Sequence, residues 1–187
     1  VYAPEADDLY GNKIEPKAYN FGKLETTMEG AHREGHFQGV ATVVQKLFEA
    51  LQPTIAYFGE KDYQQLQIIN ALVEQENIPV IIIPCPIIRH KDGLAMSSRN
   101  KRLNIKERAM APVIYETLQK AVALKGIHSP TEIESWITEF FALQPDFDLE
   151  YFSIADIQTL EKVSALNGSQ TRAFIAIKLG GVRLIDN

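Results

Sequence analysis

Two polar clusters near the middle of the chain have the side chains expected of a phosphate-binding site. The first is Gly59-Glu60-Lys61-Asp62 and the second is Met96-Ser97-Ser98-Arg99. Lysine is a compact cation that neutralises phosphate charge, and serine hydroxyls beside a guanidinium donate to phosphate oxygens. Each cluster also has a plainer explanation. Lys61 could be a solvated loop lysine, Asp62 with Gln65 matches a helix-capping pattern, and the second cluster could be a polar interdomain loop.

The elements around the clusters predict that they lie at one edge of a sheet. An apolar run over residues 54–58 predicts a strand, and residues 80–83 predict a second strand covered on both faces. From Asp62 onwards, apolar residues recur every three to four positions, which predicts a helix with Leu66, Ile69, Leu72 and Val73 buried. A strand-helix-strand unit makes a crossover between parallel strands, and ligands bind at the carboxyl ends of such strands. We therefore expect both clusters to face one crevice.

A further helix is predicted to begin near His36, with Phe37, Val40, Val44, Leu47, Phe48 and Leu51 on one face. Arg33 and His36 would lie at its amino end, where the helix dipole favours an anion. His32 and His36 have the spacing of a metal-binding pair, but no third ligand is near, so we predict no protein metal site. Residues 1–30 are too apolar for a disordered arm, and we expect a packed loop with a short strand.

The second half of the chain has α+β character. Asn104-Ile105-Lys106-Glu107 and Ser129-Pro130-Thr131-Glu132 are capping-box patterns that predict two helix starts. Pro112 predicts a break in the first of these helices. From Asp146 the sequence alternates, with Phe147, Leu149 and Tyr151 predicted on one face, and Gly180-Gly181 predicts a hairpin. A domain boundary is expected near Ile88.

Composition narrows the class of protein. The chain has 187 residues, 45% of them hydrophobic, and a net charge of -5, which argues against a nucleic-acid partner. A single cysteine, Cys85, excludes an internal disulfide and suits a reducing compartment, so we expect a cytoplasmic protein. No apolar stretch reaches transmembrane length, and we expect no membrane partner. The chain begins at Val1 rather than methionine, which fits either removal of a leader during maturation or a fragment of a longer protein.

Three blocks together resemble one family. Residues 36–44 (HFQGVATVV), 58–65 (FGEKDYQQ) and 92–100 (DGLAMSSRN) are similar, in order and spacing, to the pantoate–β-alanine ligases, or pantothenate synthetases. Met96-Ser97-Ser98-Arg99 resembles the Met-Ser-Lys-Ser-type loop of adenylate-forming nucleotidyltransferases. The resemblance implies an α/β fold. Residues 1–88 would be the carboxyl-terminal part of a Rossmann-like nucleotidyltransferase domain with a parallel sheet incomplete at its amino end, and residues 89–187 a smaller α+β domain.

The resemblance also implies an activity and a site. Family members condense (R)-pantoate with β-alanine through a pantoyl-adenylate, releasing AMP and pyrophosphate, with Mg²⁺ accompanying ATP. The implied ATP contacts are Gly59, Glu60, Lys61, Asp62, Ile88, Met96, Ser97, Ser98 and Arg99. Lys61, Ser97, Ser98 and Arg99 would act in catalysis, and Gln65 would bind pantoate. We add Arg33 as an anion contact near pantoate or phosphate. A homodimer formed through the parallel-sheet half is expected.

One family motif is not found in the chain. His32-Arg33-Glu34-Gly35-His36 differs in spacing and position from the amino-terminal His-x-Gly-His that grips ATP in the family. The chain therefore resembles the carboxyl-terminal two thirds of a family member, and we expect it to be inactive alone. Two alternatives remain. One is another Rossmann-like nucleotidyltransferase, such as an aminoacyl-tRNA synthetase core, which the acidic charge disfavours. The other is a non-catalytic module that binds a nucleotide or a partner.

Overall fold

The fold is that of a computed structural model, which describes residues 2–11, 17–166 and 170–187. The chain forms two compact units. Unit 1 comprises the described residues up to Gly59 together with Tyr63–Cys85, and unit 2 comprises Glu60–Asp62 and Pro86–Asn187. The division at Pro86 lies two residues before the boundary expected from the sequence. The membership of Glu60–Asp62 in unit 2 was not expected.

Unit 1 contains a parallel pair of strands joined by a helix. Strand β1 pairs with strand β2 in register from Ile55↔Ile81 to Gly59↔Cys85, and the predicted strand-helix-strand unit is confirmed. The elements described in this unit are α1 (Ala6–Tyr10), a 3-10 helix (Gly22–Glu25), α2 (Met28–His32), α3 (His36–Leu51), β1 (Ile55–Gly59), α4 (Tyr63–Gln75) and β2 (Ile81–Cys85).

The core of unit 1 lies between α3, α4 and the segment that precedes α2. Its buried members are Tyr19, Phe21, Phe37, Ala41, Ile68 and Leu72. Helix α3 begins at His36 as predicted, with Phe37 and Phe48 buried. Leu51 was expected on the same buried face but is half exposed, because it is the last residue of the helix.

The short strand expected within residues 1–30 is absent from the described parts of that segment. Helices α1 and α2 and the intervening 3-10 helix stand there instead. Tyr2 is half exposed and α1 has no buried residue, so Tyr19 is the first buried hydrophobic residue among the described residues of this segment. Ile14, expected to pack in the same loop, lies outside the described residues.

One face of the β1–β2 pair is exposed in this chain. Strand β2 was predicted to be covered on both faces, yet its Ile81 is 57% exposed and Tyr57, on the same face of β1, is 66% exposed. The opposite face packs on helices, with the rings of Phe58 and Phe48 6.4 Å apart. An apolar run indicates that the side chains of a strand favour burial. In the described residues, the helices bury only one face of the β1–β2 pair.

Unit 2 is an antiparallel sheet in the order β3-β4-β5, packed with helices. The strands are β3 (Phe147–Asp156), β4 (Thr171–Leu179) and β5 (Val182–Asp186), and the helices are α5 (Ile105–Met110), α6 (Val113–Ala123) and α7 (Pro130–Ala142). The break at Pro112 and the hairpin at Gly180-Gly181 are confirmed. Both capping boxes are formed, by Asn104 with Glu107 and by Ser129 with Glu132.

Strand β3 departs from its predicted alternation because of a bulge. The pairing register shifts between Leu149 and Tyr151, which places those two residues on opposite faces. Beyond the bulge, Phe152 and Ile154 continue the buried face that Phe147 begins. A β-bulge adds one residue to a strand and reverses the alternation after it, so the expectation for Tyr151 was wrong.

Candidate functional site

The loop that carries the second polar cluster is a tight turn held against the core of unit 2. An isolated bridge pairs Arg89 with Ala95, and the amide of Met96 donates to the carbonyl of Ile88 at 2.9 Å. Gly93 has a φ of +91°, and a Cβ there would lie 2.6 Å from the ring of Tyr115. Glycine is needed both for the backbone conformation and for the close approach.

Asp92 secures the opening of this turn. One carboxylate oxygen accepts from the amide of Leu94 at 3.2 Å, and the other accepts from Arg108 at 2.6 Å. The hydrogen bond from Arg108 holds the pKa of Asp92 below its usual value, against the opposing effect of desolvation. Leu94 itself is buried in the core of unit 2. The loop is therefore anchored by charge on one side and by apolar packing on the other.

Arg89 joins the same loop to β5. Its guanidinium donates to both carboxylate oxygens of Asp186, at 2.6 and 2.9 Å, and to the carbonyl of Gly93 at 3.1 Å. The ring of Tyr115 stacks on it at 3.7 Å. The Asp186 side chain is 2% exposed, and this bidentate ion pair supplies its partner in the buried environment.

Sequence reasoning missed this ion pair. The signal available was an aspartate directly after apolar Leu184-Ile185 in a predicted strand. Buried carboxylates are almost always paired, but the sequence does not show which cation is the partner.

Ser97 caps the short 3-10 helix Ser98–Arg102, its hydroxyl accepting from the amide of Arg99 at 3.2 Å. Asn100 is buried and donates its side-chain amide to the carbonyl of Ala95 at 2.9 Å. Its Oδ1 has no hydrogen-bond partner among the described residues. Ser98 is exposed. The cap fixes the direction in which the backbone of the cluster turns.

The two polar clusters meet in unit 2. Lys61, Ser97 and Arg99 line one small pocket, together with Asn100 and Asp186. The pocket has a volume of about 10 Å³, and its lining combines two cationic residues and a serine with the carboxylate that Arg89 already binds. An excess of positive charge with hydroxyl and guanidinium donors favours an anionic oxygen ligand.

Lys61 reaches this pocket from a turn that belongs to unit 2. The turn is the 3-10 helix Glu60–Asp62, and its Glu60 and Lys61 carbonyls accept from the Asn187 side chain at 2.9 and 3.0 Å. Arg172 lies 3.5 Å from the Glu60 carboxylate and donates to Asn187 Oδ1 at 2.7 Å.

The structure does not bring all the predicted residues together in unit 2. Gly59 ends β1 in unit 1, and Gln65 and Arg33 also belong to unit 1. Arg33 lies 3.9 Å from Glu29 and forms a 2.9 Å contact with His36, so it has partners within its own unit. Its role as an anion contact stays a prediction.

The remaining predicted residues are on the surface. Ile88 is 66% and Met96 48% exposed in unit 2, and Asp62 is exposed beside Lys61. Within unit 1, Gln64 and not Gln65 is the buried glutamine. Gln64 donates to the carbonyls of Leu24 and Thr27 and accepts from the amide of Glu29. These hydrogen bonds to the backbone indicate a structural role for Gln64.

Three further features of the described residues bear on the site. In residues 2–11, 17–166 and 170–187, no group of three or more His, Cys, Asp or Glu side chains is placed to hold a metal ion. A larger groove of about 690 Å³ lies in unit 2, lined by Lys120, Leu124 and Trp136 among others, and it includes no residue of either polar cluster. Across the described part of the chain, every helix is too short or too polar to cross a membrane.

Comparison with known proteins identifies the family. The model of the pantoate-beta-alanine ligase family matches residues 1–187. The chain is 50% identical to the pantothenate synthetase of Christiangramia forsetii over 188 residues, covering 100% of this chain and 66% of that protein. The Porphyromonas gingivalis W83 pantothenate synthetase is 42% identical, with the same coverage. The chain belongs to the pantoate-beta-alanine ligase family, and it spans about two thirds of the length of these relatives.

Solved structures agree with the fold. Pantothenate synthetase from Thermus thermophilus superposes with a TM-score of 0.91 at 38% identity, over 98% of this chain and 66% of that one. Pantoate-beta-alanine ligase from Francisella tularensis, complexed with beta-gamma ATP and beta-alanine, superposes with a TM-score of 0.73 at 33% identity, over 96% and 60%. The predicted α/β fold is confirmed, with a parallel pair of strands and helices followed by an α+β unit that contains a small antiparallel sheet.

Proposed function

We propose that these residues belong to an enzyme that condenses (R)-pantoate with β-alanine, using ATP and forming a pantoyl-adenylate intermediate. Family membership supports the reaction, and the Francisella tularensis structure supports ATP and β-alanine as ligands. One observation carries the proposal for this chain. Lys61 from the first cluster and Ser97 and Arg99 from the second line the same pocket.

The first step needs charge stabilisation. A pantoate carboxylate oxygen attacks the α-phosphorus of ATP, the bond to the β-phosphate bridging oxygen breaks, and pyrophosphate leaves. Negative charge builds on the phosphate oxygens, and preorganised cations and donors stabilise it. Lys61 and Arg99 supply the charge, and the hydroxyls of Ser97 and Ser98 supply donors. Mg²⁺ enters with the triphosphate, without a dedicated protein cage.

In the second step, an amine displaces AMP from the acyl group. The amine of β-alanine attacks the acyl carbon, and the C–O bond to AMP breaks to leave the amide of pantothenate. Activation is required because a free carboxylate is a poor electrophile. In this arrangement Gly59, Glu60, Asp62, the backbone at Ile88, and Met96 contact ATP. Gln65 and Arg33, both in unit 1, are proposed as contacts for pantoate.

A hybrid enzyme tests the proposal. Residues 1–187 would replace the matching residues of the Christiangramia forsetii relative, and AMP, pyrophosphate and pantothenate would be measured with ATP, pantoate and β-alanine. We expect all three products in equal amounts. A folded hybrid that forms none, beside an active parent, would contradict the assignment.

Lys61→Ala in this hybrid tests the first step. Loss of one transition-state donor costs about 3 kcal/mol, or on the order of a hundredfold in the rate of adenylate formation. Reaction of pre-formed pantoyl-adenylate with β-alanine should be nearly unchanged. The matched control is Lys106→Ala, which removes an exposed lysine paired with Asp146. Equal slowing of both steps would contradict the proposal that Lys61 stabilises charge on the phosphates.

The 187-residue chain alone is proposed to have at most trace ligase activity, because it spans only about two thirds of the relatives' length. Robust pantothenate formation by the purified chain would contradict this.

We also propose a cytoplasmic homodimer. The exposed apolar face of β1 and β2 supports pairing with a second copy through unit 1. The single cysteine supports a reducing compartment.

A further inference from the structure

The turn that presents Lys61 is held by a residue far along the chain. Asn187 donates its side-chain amide to the carbonyls of Glu60 and Lys61, across sequence separations of 127 and 126 residues. Two hydrogen bonds to consecutive carbonyls fix both the position and the tilt of that peptide segment. The turn therefore depends on β5 as well as on its neighbours in sequence.

Arg172 determines which way the Asn187 amide points. A guanidinium can only donate, so the atom of Asn187 that lies 2.7 Å from Arg172 Nη1 must be the oxygen Oδ1. The Nδ2 group then has to face the two carbonyls. The same Arg172 lies 3.5 Å from the Glu60 carboxylate, which ties the turn to β4 by a second route. The donor character of the Arg172 guanidinium thus determines the orientation of the Asn187 amide.

Asn187 is itself fixed to the buried ion pair. Its backbone amide donates to Asp186 Oδ1 at 2.8 Å, and its carbonyl accepts from Arg89 at 3.2 Å. Arg89 also donates to the carbonyl of Gly93, in the loop of the second polar cluster. One continuous hydrogen-bond network therefore touches the backbones of both clusters.

We infer that Asn187 is a positioning residue that sets Lys61 for phosphate, acting through the Glu60 and Lys61 carbonyls. The inference rests on the proposed function for its ligand and on the hydrogen bonds above for its geometry. A side chain that holds a charged group in place increases the affinity for the ligand of that group, because binding then costs less conformational entropy. Truncating the Asn187 amide leaves Lys61 present but less ordered.

The first test measures the clamp itself in the 187-residue chain. Carbonyl ¹³C resonances move to lower frequency when a hydrogen bond to the oxygen is lost. Asn187→Asp is nearly isosteric and still accepts from Arg172, but it cannot donate to the carbonyls. We expect the Glu60 and Lys61 carbonyls both to shift, with those of the α6 helix unchanged. Unshifted carbonyls in a folded variant would overturn the inference.

The second test measures Mg·ATP binding by calorimetry in the hybrid enzyme, which joins residues 1–187 to the remaining residues of the Christiangramia forsetii relative. We expect Asn187→Ala to weaken binding about tenfold, in the range of misplacement effects on bound geometry. In a Lys61→Ala background, Asn187→Ala should weaken binding no further, because the two residues act through one group. An additive loss would overturn the inference, since Asn187 would then act independently of Lys61. Lys106→Ala serves as the control with unchanged affinity.

The two tests separate failure of the inference from failure of the proposed function. If the unmodified hybrid does not bind Mg·ATP while the carbonyl shifts appear as expected in the 187-residue chain, the clamp exists but the phosphate role of the pocket is overturned. If Mg·ATP binds and Asn187→Ala has no effect, the proposed function stands and the positioning role is overturned. Fluorescence of Trp136, the chain's single tryptophan, checks that each variant folds.

Discussion

Unit 1 and unit 2 differ in how fully their strands are covered. In unit 2, Ile175 and Ile177 of the central strand are fully buried, and helices α6 and α7 supply buried partners such as Ile137. In unit 1, Tyr57 and Ile81 present an apolar face to solvent. Both regions have strands of similar apolar character. The difference lies in what each unit places against its sheet.

This difference separates two kinds of information in a sequence. Apolar runs predict which side chains tend to be buried, and that tendency was identified correctly for both units. They do not state what covers the side chains. The antiparallel strands of unit 2 are covered by helices that lie nearby in sequence, and the prediction of coverage succeeds there. Within the described residues, the parallel pair of unit 1 is covered on one face by α3 and α4, and its other face is exposed in a chain that spans about two thirds of its relatives' length.

The largest expected effect tests this contrast with one substitution in two places. Ile137→Ala removes a side chain with no exposure and should lower the stability of unit 2 by about 3 kcal/mol, through lost transfer energy and a cavity. Ile81→Ala removes a side chain that is 57% exposed and should cost less than about 0.5 kcal/mol. Urea unfolding followed by circular dichroism and by Trp136 fluorescence measures both. Similar losses would mean that Ile81 is covered in solution.

A smaller effect is expected from helix capping in unit 2. Asn104→Ala removes the acceptor for the Glu107 amide and should destabilise by about 1 kcal/mol. Asn70→Ala is the matched control in unit 1, because Asn70 is exposed within α4 and alanine is the better helix former. Thermal unfolding of the two variants gives the comparison. Equal destabilisation would indicate that residue type, and not the cap, accounts for the loss.

Acid should weaken unit 2 through Asp92. Its pKa is lowered in the folded state, so its contribution is present above its usual value of 3.8 and is lost as the pH falls through the lowered folded value. We expect Asp92→Asn to be less stable than the parent at about pH 6, with the difference shrinking towards about pH 3. Trp136 fluorescence melts measure this. A difference that stays constant with pH, as expected for the uncharged control Asn70→Ala, would contradict the assignment.

The smallest change in stability, with a clear change in mass, is expected at the exposed sheet face. Tyr57→Ser should leave unfolding nearly unchanged while shifting a dimer towards monomer in light scattering across a concentration series. Tyr2→Ser is the control, since Tyr2 is 51% exposed and lies outside the sheet. A parent chain that is monomeric at every concentration would contradict the proposed dimer.

How much could be predicted depended on how local the signal was. The helix starts at Asn104 and Ser129 and the break at Pro112 follow from residues within one turn of each other, and all three are confirmed. The bulge in β3 was missed because no glycine or proline marks it. The pairing of Arg89 with Asp186 was missed because 97 residues separate them. Charge and burial made a partner for Asp186 necessary, yet only the folded chain identifies it.

The Asn187 contacts have a consequence for the order in which the protein is made. The Glu60 carbonyl and the amide that binds it are 127 residues apart. A ribosome adding roughly 5 to 20 residues per second leaves about 6 to 25 s between their synthesis. During that interval the residues of β1 and α4 have already been synthesised, while the turn between them lacks its distant partner. The contacts between the lysine turn and Asn187 can therefore form only after the intervening residues have been synthesised.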